Sequence, residues 1–121
     1  MDTADISQLL GRIFEVDGVS ATAVSTTDGL LIEGRGDEVR LESMAAIGTL
    51  VLASAARLGE IDGGHSPSAV QAEWDHGTVL LRRLSPDTNL IVLLERQSNA
   101  AYVAHIVGRY QMERPQTTET R

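Results

Sequence analysis

Apolar and polar positions along the chain mark out eight segments, in the order α-β-β-α-β-β-β-α. Ile6, Leu9, Leu10, Ile13 and Phe14 recur at i, i+3, i+4, i+7 and i+8, which places all five on one face of a helix. Asp5 with Gln8 three residues on resembles a capping box at its start, and Asp17-Gly18 ends it. Residues 19–26 are small and β-branched, then Thr27-Asp28-Gly29 leads into Leu30-Leu31-Ile32-Glu33-Gly34. Asp-Gly between two such runs predicts a hairpin, because glycine accepts the positive φ of a tight reverse turn.

Residues 38–61 form the longest periodic segment, with no proline from Asp37 to Gly63. At about 100° per residue, Leu41, Met44, Ala45, Gly48, Val51, Leu52, Ala55 and Leu58 fall on one wide inward stripe. Gly63-Gly64 stops this helix. Three strands follow. Val70, Ala72 and Trp74 alternate with Ala69, Gln71 and Glu73, and Asp75-His76-Gly77 turns the chain. Val79, Leu81 and Arg83 alternate with Leu80, Arg82 and Leu84, before a second turn over Ser85-Pro86-Asp87-Thr88-Asn89. Leu90 to Leu94 is continuously apolar, as a strand covered on both faces must be. Ser98 is placed to cap a last helix through about Met112, with Val103, Ile106, Val107 and Tyr110 inward. Three hairpin-type connections imply an antiparallel sheet, and the helices need both of its faces to bury their stripes. The fold class expected is α+β, a five-stranded antiparallel sheet between helices. Residues 1–113 form one domain, and 114–121 form a flexible polar tail.

The outer side of the central helix carries Val39, Ser43, Ala46, Leu50, Ala53, Ser54 and Arg57. A helix on the surface of a monomer shows charge there, yet most of these residues are small or apolar. Either loops and the last helix cover this side, or a partner does, and the small residues favour close approach of another helix.

Composition narrows the chemistry. Aromatic residues make up 3% of the 121, namely Phe14, Trp74, Tyr102 and Tyr110, which leaves little for an aromatic-lined cofactor pocket. Ten basic against seventeen acidic residues give a net charge of −7, and no basic cluster exceeds Arg82-Arg83. Nucleic acid and anionic membrane are unsuited partners for such a surface. No cysteine is present, so disulfides and thiolate metal sites are excluded. The acidic start Met1-Asp2-Thr3-Ala4-Asp5 is unlike a secretory signal, and the strongly apolar runs fall short of the roughly 20 residues of a membrane span. A cytoplasmic protein is expected.

His65, His76 and His105 lack partners at metal-ligand spacing, so no metal is expected. The carboxylates of Asp28 and Asp75 serve turns, and Glu38 and Glu42 lie near the positive end of the central helix. The chain contains no lysine, hence no P-loop, and no G-x-S-x-G elbow. No catalytic residue and no cofactor is expected, and the chain reads as non-enzymatic.

In its order of elements and local text the chain resembles the roadblock family of dynein-associated and GTPase-associated domains. The residues that carry the likeness are Val16-Asp17-Gly18-Val19 after the first helix, the hairpin Ser25-Thr26-Thr27-Asp28-Gly29-Leu30, and Met44-Ala45-Ala46-Ile47-Gly48 in a small-residue-rich central helix. It spans roughly residues 3–112 and is most similar to bacterial MglB-type regulators. The resemblance implies a homodimer formed through the central helix and the strand Ala69–Trp74. It also implies a Ras-like small GTPase (MglA-type) as partner, docked on the paired helices. Other readings are a sensor of PAS or GAF type, which would need a ligand pocket, or an adaptor for a histidine kinase or a cytoskeletal or motor assembly.

Overall fold

A computed structural model describes residues 3–64, 68–95 and 99–113. The proposed cap Ser98, the loop histidine His65 and the tail 114–121 lie outside the described residues. The elements are α1 (Thr3–Phe14), β1 (Val19–Thr26), β2 (Leu31–Arg35), α2 (Glu38–Ile61), β3 (Ala69–Trp74), β4 (Gly77–Ser85), β5 (Thr88–Leu94) and α3 (Ala100–Glu113). The expected order and fold class hold. All five strands form one antiparallel sheet in the order β2-β1-β5-β4-β3. β2 and β3 are therefore opposite edges, and α2 carries the chain across the whole sheet between them.

One side of the sheet holds the larger core. Ile6, Leu9, Leu10 and Ile13 of α1 and Val103, Ile106, Val107 and Tyr110 of α3 pack with Val24, Leu80, Leu84, Leu90, Val92 and Leu94. Phe14 is a correction: it is exposed, because α1 ends there and Val16 takes the place beneath it, its N–H donating to the Ile13 carbonyl at 3.0 Å. Asp5 is another, since the helix begins at Thr3 and Asp5 lies inside the first turn, where its charge meets the positive helix end.

The β1–β2 turn is built on Thr26, whose Oγ1 accepts from the N–H groups of Asp28 and Leu30. Gly29 takes φ 91° there, as the Asp-Gly signal required, and Leu30 belongs to the turn, so β2 starts one residue later than expected. β4 and β5 extend beyond their apolar runs to Gly77 and Thr88. β5 lies at the centre, between β1 and β4, which is why its side chains are apolar on both faces.

α2 alone covers the second face. Asp37 caps it, accepting from the Val39 N–H at 3.1 Å, and the Gly64 N–H donates to the Gly59 carbonyl at its far end. Leu41, Ala45, Gly48 and Leu52 are buried against the sheet. The wide stripe expected is narrower than this: Met44 and Ala55 are half-buried, while Val51 and Leu58 are exposed. The reason is that one helix on a five-stranded sheet reaches only the strands directly below it. α2 also contains an 18-residue window of mean hydropathy 1.4, so by length and composition it could cross a membrane, contrary to the expectation from apolar runs. Its apolar residues are spread around the helix rather than concentrated in one uninterrupted run, and one side of them is engaged by the sheet.

Candidate protein-interaction surface

Between α2 and the β3 side of the sheet lies an open groove of about 430 Å³. Its helix wall is Val39, Arg40, Ser43, Met44, Ile47, Gly48 and Val51. Its floor and far wall are Val79, Leu81, Ile91, Leu93 and Trp74. The pleat explains the floor. Val79 and Leu81 of β4 point to the α2 face together with Ile91 and Leu93, their register partners being Leu93 and Ile91 respectively. The close seat of Gly48 holds the helix down over β5 and β4, and the groove opens beside it.

The expected surface residues are distributed around this groove. Val39, Ser43, Ala46, Leu50, Ala53, Ser54 and Arg57 are all exposed, Leu50 at 66%. The last helix does not cover them, because α3 packs with α1 on the opposite face. On β3, Ala69, Gln71, Ala72, Glu73 and Trp74 are exposed and Val70 is half-buried. β3 pairs only with β4, so its other edge is open within the described chain. Pattern reading missed Ile47 and Val51, exposed on the groove wall, and Leu58 and Ile61, exposed beyond it toward the C-terminal end of α2. Ile61 is 83% exposed. Val51 and Leu58 had been placed in the inward stripe, and only the width of the sheet contact could have moved them.

Polar chemistry is sparse here. Arg40 and Ser43 are the polar members of the groove wall. The Glu33–Arg35 ion pair, at 2.9 Å, belongs to β2 at the far edge, where Arg35 also donates to the Ser7 hydroxyl and carbonyl of α1. The hydrogen bond from Arg35 holds the Glu33 carboxyl below its usual range, against partial burial that raises it. Beneath α2, Thr49 joins the Ser25 hydroxyl at 3.0 Å and accepts from the Asn89 amide at 3.3 Å. Among the described residues no three His, Cys, Asp or Glu side chains come together as a metal site.

No protein-family model matches the sequence, and neither does any curated protein. Solved structures do match in fold. A Roadblock/LC7 domain from Streptomyces avermitilis superposes with a TM-score of 0.80 at 21% identity, over 88% of this chain and 91% of that one. Myxococcus xanthus MglB gives 0.80 at 14% identity, over 93% and 94%. MglC from Myxococcus xanthus gives 0.59 at 20% identity, over 90% and 98%. Five antiparallel strands with α1 and α3 on one face and α2 crossing the other make this the roadblock fold.

Proposed function

We propose that this chain is a non-enzymatic docking platform that pairs with a second copy of itself through α2 and the β3 edge, and presents the paired helices to a Ras-like small GTPase. The observation that carries the reading is the apolar groove beside α2, flanked by exposed Leu50, Leu58 and Ile61 and by an open strand edge. Exposed apolar surface of this continuity marks protein interfaces. A second copy covers groove and edge together, and closed two-fold symmetry leaves no strand edge free for further growth on that side. An interface of about 1,000 Å² per protomer is of the size that stable dimers need.

The choice of a GTPase rests on the fold likeness to MglB. With the groove side of α2 turned to the partner copy, Ala46 and Arg57 remain exposed on the helix for it. The chain's lack of lysine leaves it without a phosphate-cradling loop of its own, so it acts on a nucleotide only through a partner. A sensor reading has one observation in its favour, since 430 Å³ is a small-ligand volume. The groove, however, is open and has Arg40 and Ser43 as its polar groups, too few to orient a metabolite.

The test is binding of a Ras-like small GTPase, in GTP and GDP states, to wild type and to Arg57→Glu. Nucleotide-dependent affinity, lost in Arg57→Glu while the dimer persists, is expected, because a platform that binds both states equally shifts neither. Equal binding of both states, or intact binding by Arg57→Glu, overturns docking on the helices. Melting temperatures measured with nucleotides and metabolites separate the sensor, which gains stability with its ligand.

A further inference from the structure

The groove beside α2 is apolar along most of its length and charged at one end only. Leu41 packs with Ala21, whose register partner is Leu93, while Thr49 bonds Asn89, so α2 runs from the Leu93 end of β5 toward the Asn89 end. Arg40 and Ser43, one turn apart on α2, therefore stand at the Leu93 end of the groove, where Trp74 forms the far wall. Farther in, the lining is Ile47, Val51, Leu81 and Ile91, and the seat of Gly48 on Ile91 sets the floor. Arg40 is the one charged residue of this lining, in a chain of net charge −7, and it makes no ion pair among the described residues.

We propose that the groove binds a free fatty acid, its carboxylate against Arg40 and Ser43 and its alkyl chain along the helix wall toward Val51. A metabolite with polar groups along its length finds too few partners here. An alkyl chain asks only for apolar contact, and one cation with a hydroxyl beside it fixes which end lies outward. The carboxylate is ionised near neutral pH, and Arg40 is the single point of charge attraction that the lining offers it. Length sets the ligand. From Arg40 to Val51 the wall extends about 16 Å at about 1.5 Å per residue, and an extended chain advances about 1.2 Å per bond, so about twelve carbons reach from end to end. The volume of about 430 Å³ is in the range of small-ligand sites. This site goes beyond the dimer proposed above and shares its groove, so the fatty acid and the second copy exclude each other.

Trp74 is the chain's single tryptophan and is 55% exposed, so its emission reports the groove directly. Dodecanoate below its micelle concentration should shift that emission to the blue. Affinity should rise roughly three- to fourfold per methylene from octanoate to dodecanoate and level off beyond it. Arg40→Glu suits the first turn of α2, yet should weaken dodecanoate roughly tenfold and abolish its preference over dodecyltrimethylammonium. Ile47→Asp, at a position 62% exposed and so neutral to the fold, should weaken it likewise through the chain. Equal binding of anion and cation to wild type, or unchanged binding in both variants, overturns the site. So does tighter binding to phosphatidylcholine vesicles free of fatty acid, which would make the occupant a bilayer. The titration is repeated on Leu50→Glu, a substitution outside the groove. Dodecanoate should bind this variant at least as tightly as wild type, and should turn a wild-type dimer into monomer. No shift in Leu50→Glu removes the fatty-acid site and leaves the dimer standing. A wild type monomeric from the start that still binds dodecanoate removes the dimer and leaves the site.

Discussion

Gly48 of α2 sits so close to Ile91 of β5 that a Cβ on the glycine would stand 2.7 Å from the isoleucine Cγ1 and 3.2 Å from Leu81 Cδ2. The helix rests on the sheet at this point, at the middle of its length, and the groove opens beside it. Gly48→Ala gains up to about 1 kcal/mol of helix propensity. It also forces a methyl against a side chain fixed in the central strand, and overpacking of this kind costs about 1–3 kcal/mol. Chemical denaturation should show a net loss. Gly11→Ala on α1, where a Cβ meets nothing within 4 Å, should instead raise stability by about 0.5–1 kcal/mol. Equal effects at the two sites would mean that α2 is not seated on Ile91.

Leu50 is exposed in the single chain, so Leu50→Glu should leave monomer stability within about 0.5 kcal/mol of wild type. In the proposed dimer the same carboxylate would be buried without a partner, at a cost of several kcal/mol. Sedimentation at micromolar concentration should give about 26 kDa for wild type, twice the 13.0 kDa chain, and about 13 kDa for the variant. A variant that remains dimeric would place the interface elsewhere.

Thr49 is the polar link between α2 and the sheet, bonded to Ser25 of β1 and Asn89 of β5. Asn89 is buried, and its Oδ1 already lacks a partner. Thr49→Val keeps the shape but leaves the Ser25 hydroxyl without its partner and the Asn89 amide without its acceptor. The expected loss is about 1–3 kcal/mol, the range for orphaned buried polar groups. A loss under about 0.5 kcal/mol, the spread of neutral surface changes, would show the link to be dispensable.

Glu33 titrates with its carboxyl held low by Arg35 and Ser7. A depressed folded value means that the unfolded chain takes up the proton first. The contribution is therefore fully present above the ordinary value of 4.5 and is lost as pH falls below it toward the folded value. The pair is partly solvent-exposed, so it amounts to less than about 1 kcal/mol. Glu33→Gln should be less stable than wild type at pH 7, and the difference should shrink as the pH is lowered through this window. A gap that stays constant from pH 7 to 3 would remove the ion pair as its cause.

Local periodicity was enough to read the eight elements and to set α2 at residues 38–61. The 3.6-residue and two-residue periods are properties of neighbouring positions, and Asp28-Gly29 and Gly63-Gly64 act within their own turns. The exposed outer side of α2 was legible for the same reason. The pairing of β1 with β5 was not, since it joins Thr22 to Val92 across most of the chain. That pairing sends β2 and β3 to opposite edges and leaves a single helix to cover one whole face. Whether Val51 and Leu58 face the sheet or stand exposed depends on the strip of sheet that α2 touches. That strip is set by the depth at which Gly48 seats on Ile91, a contact between residues 43 positions apart that no local pattern encodes.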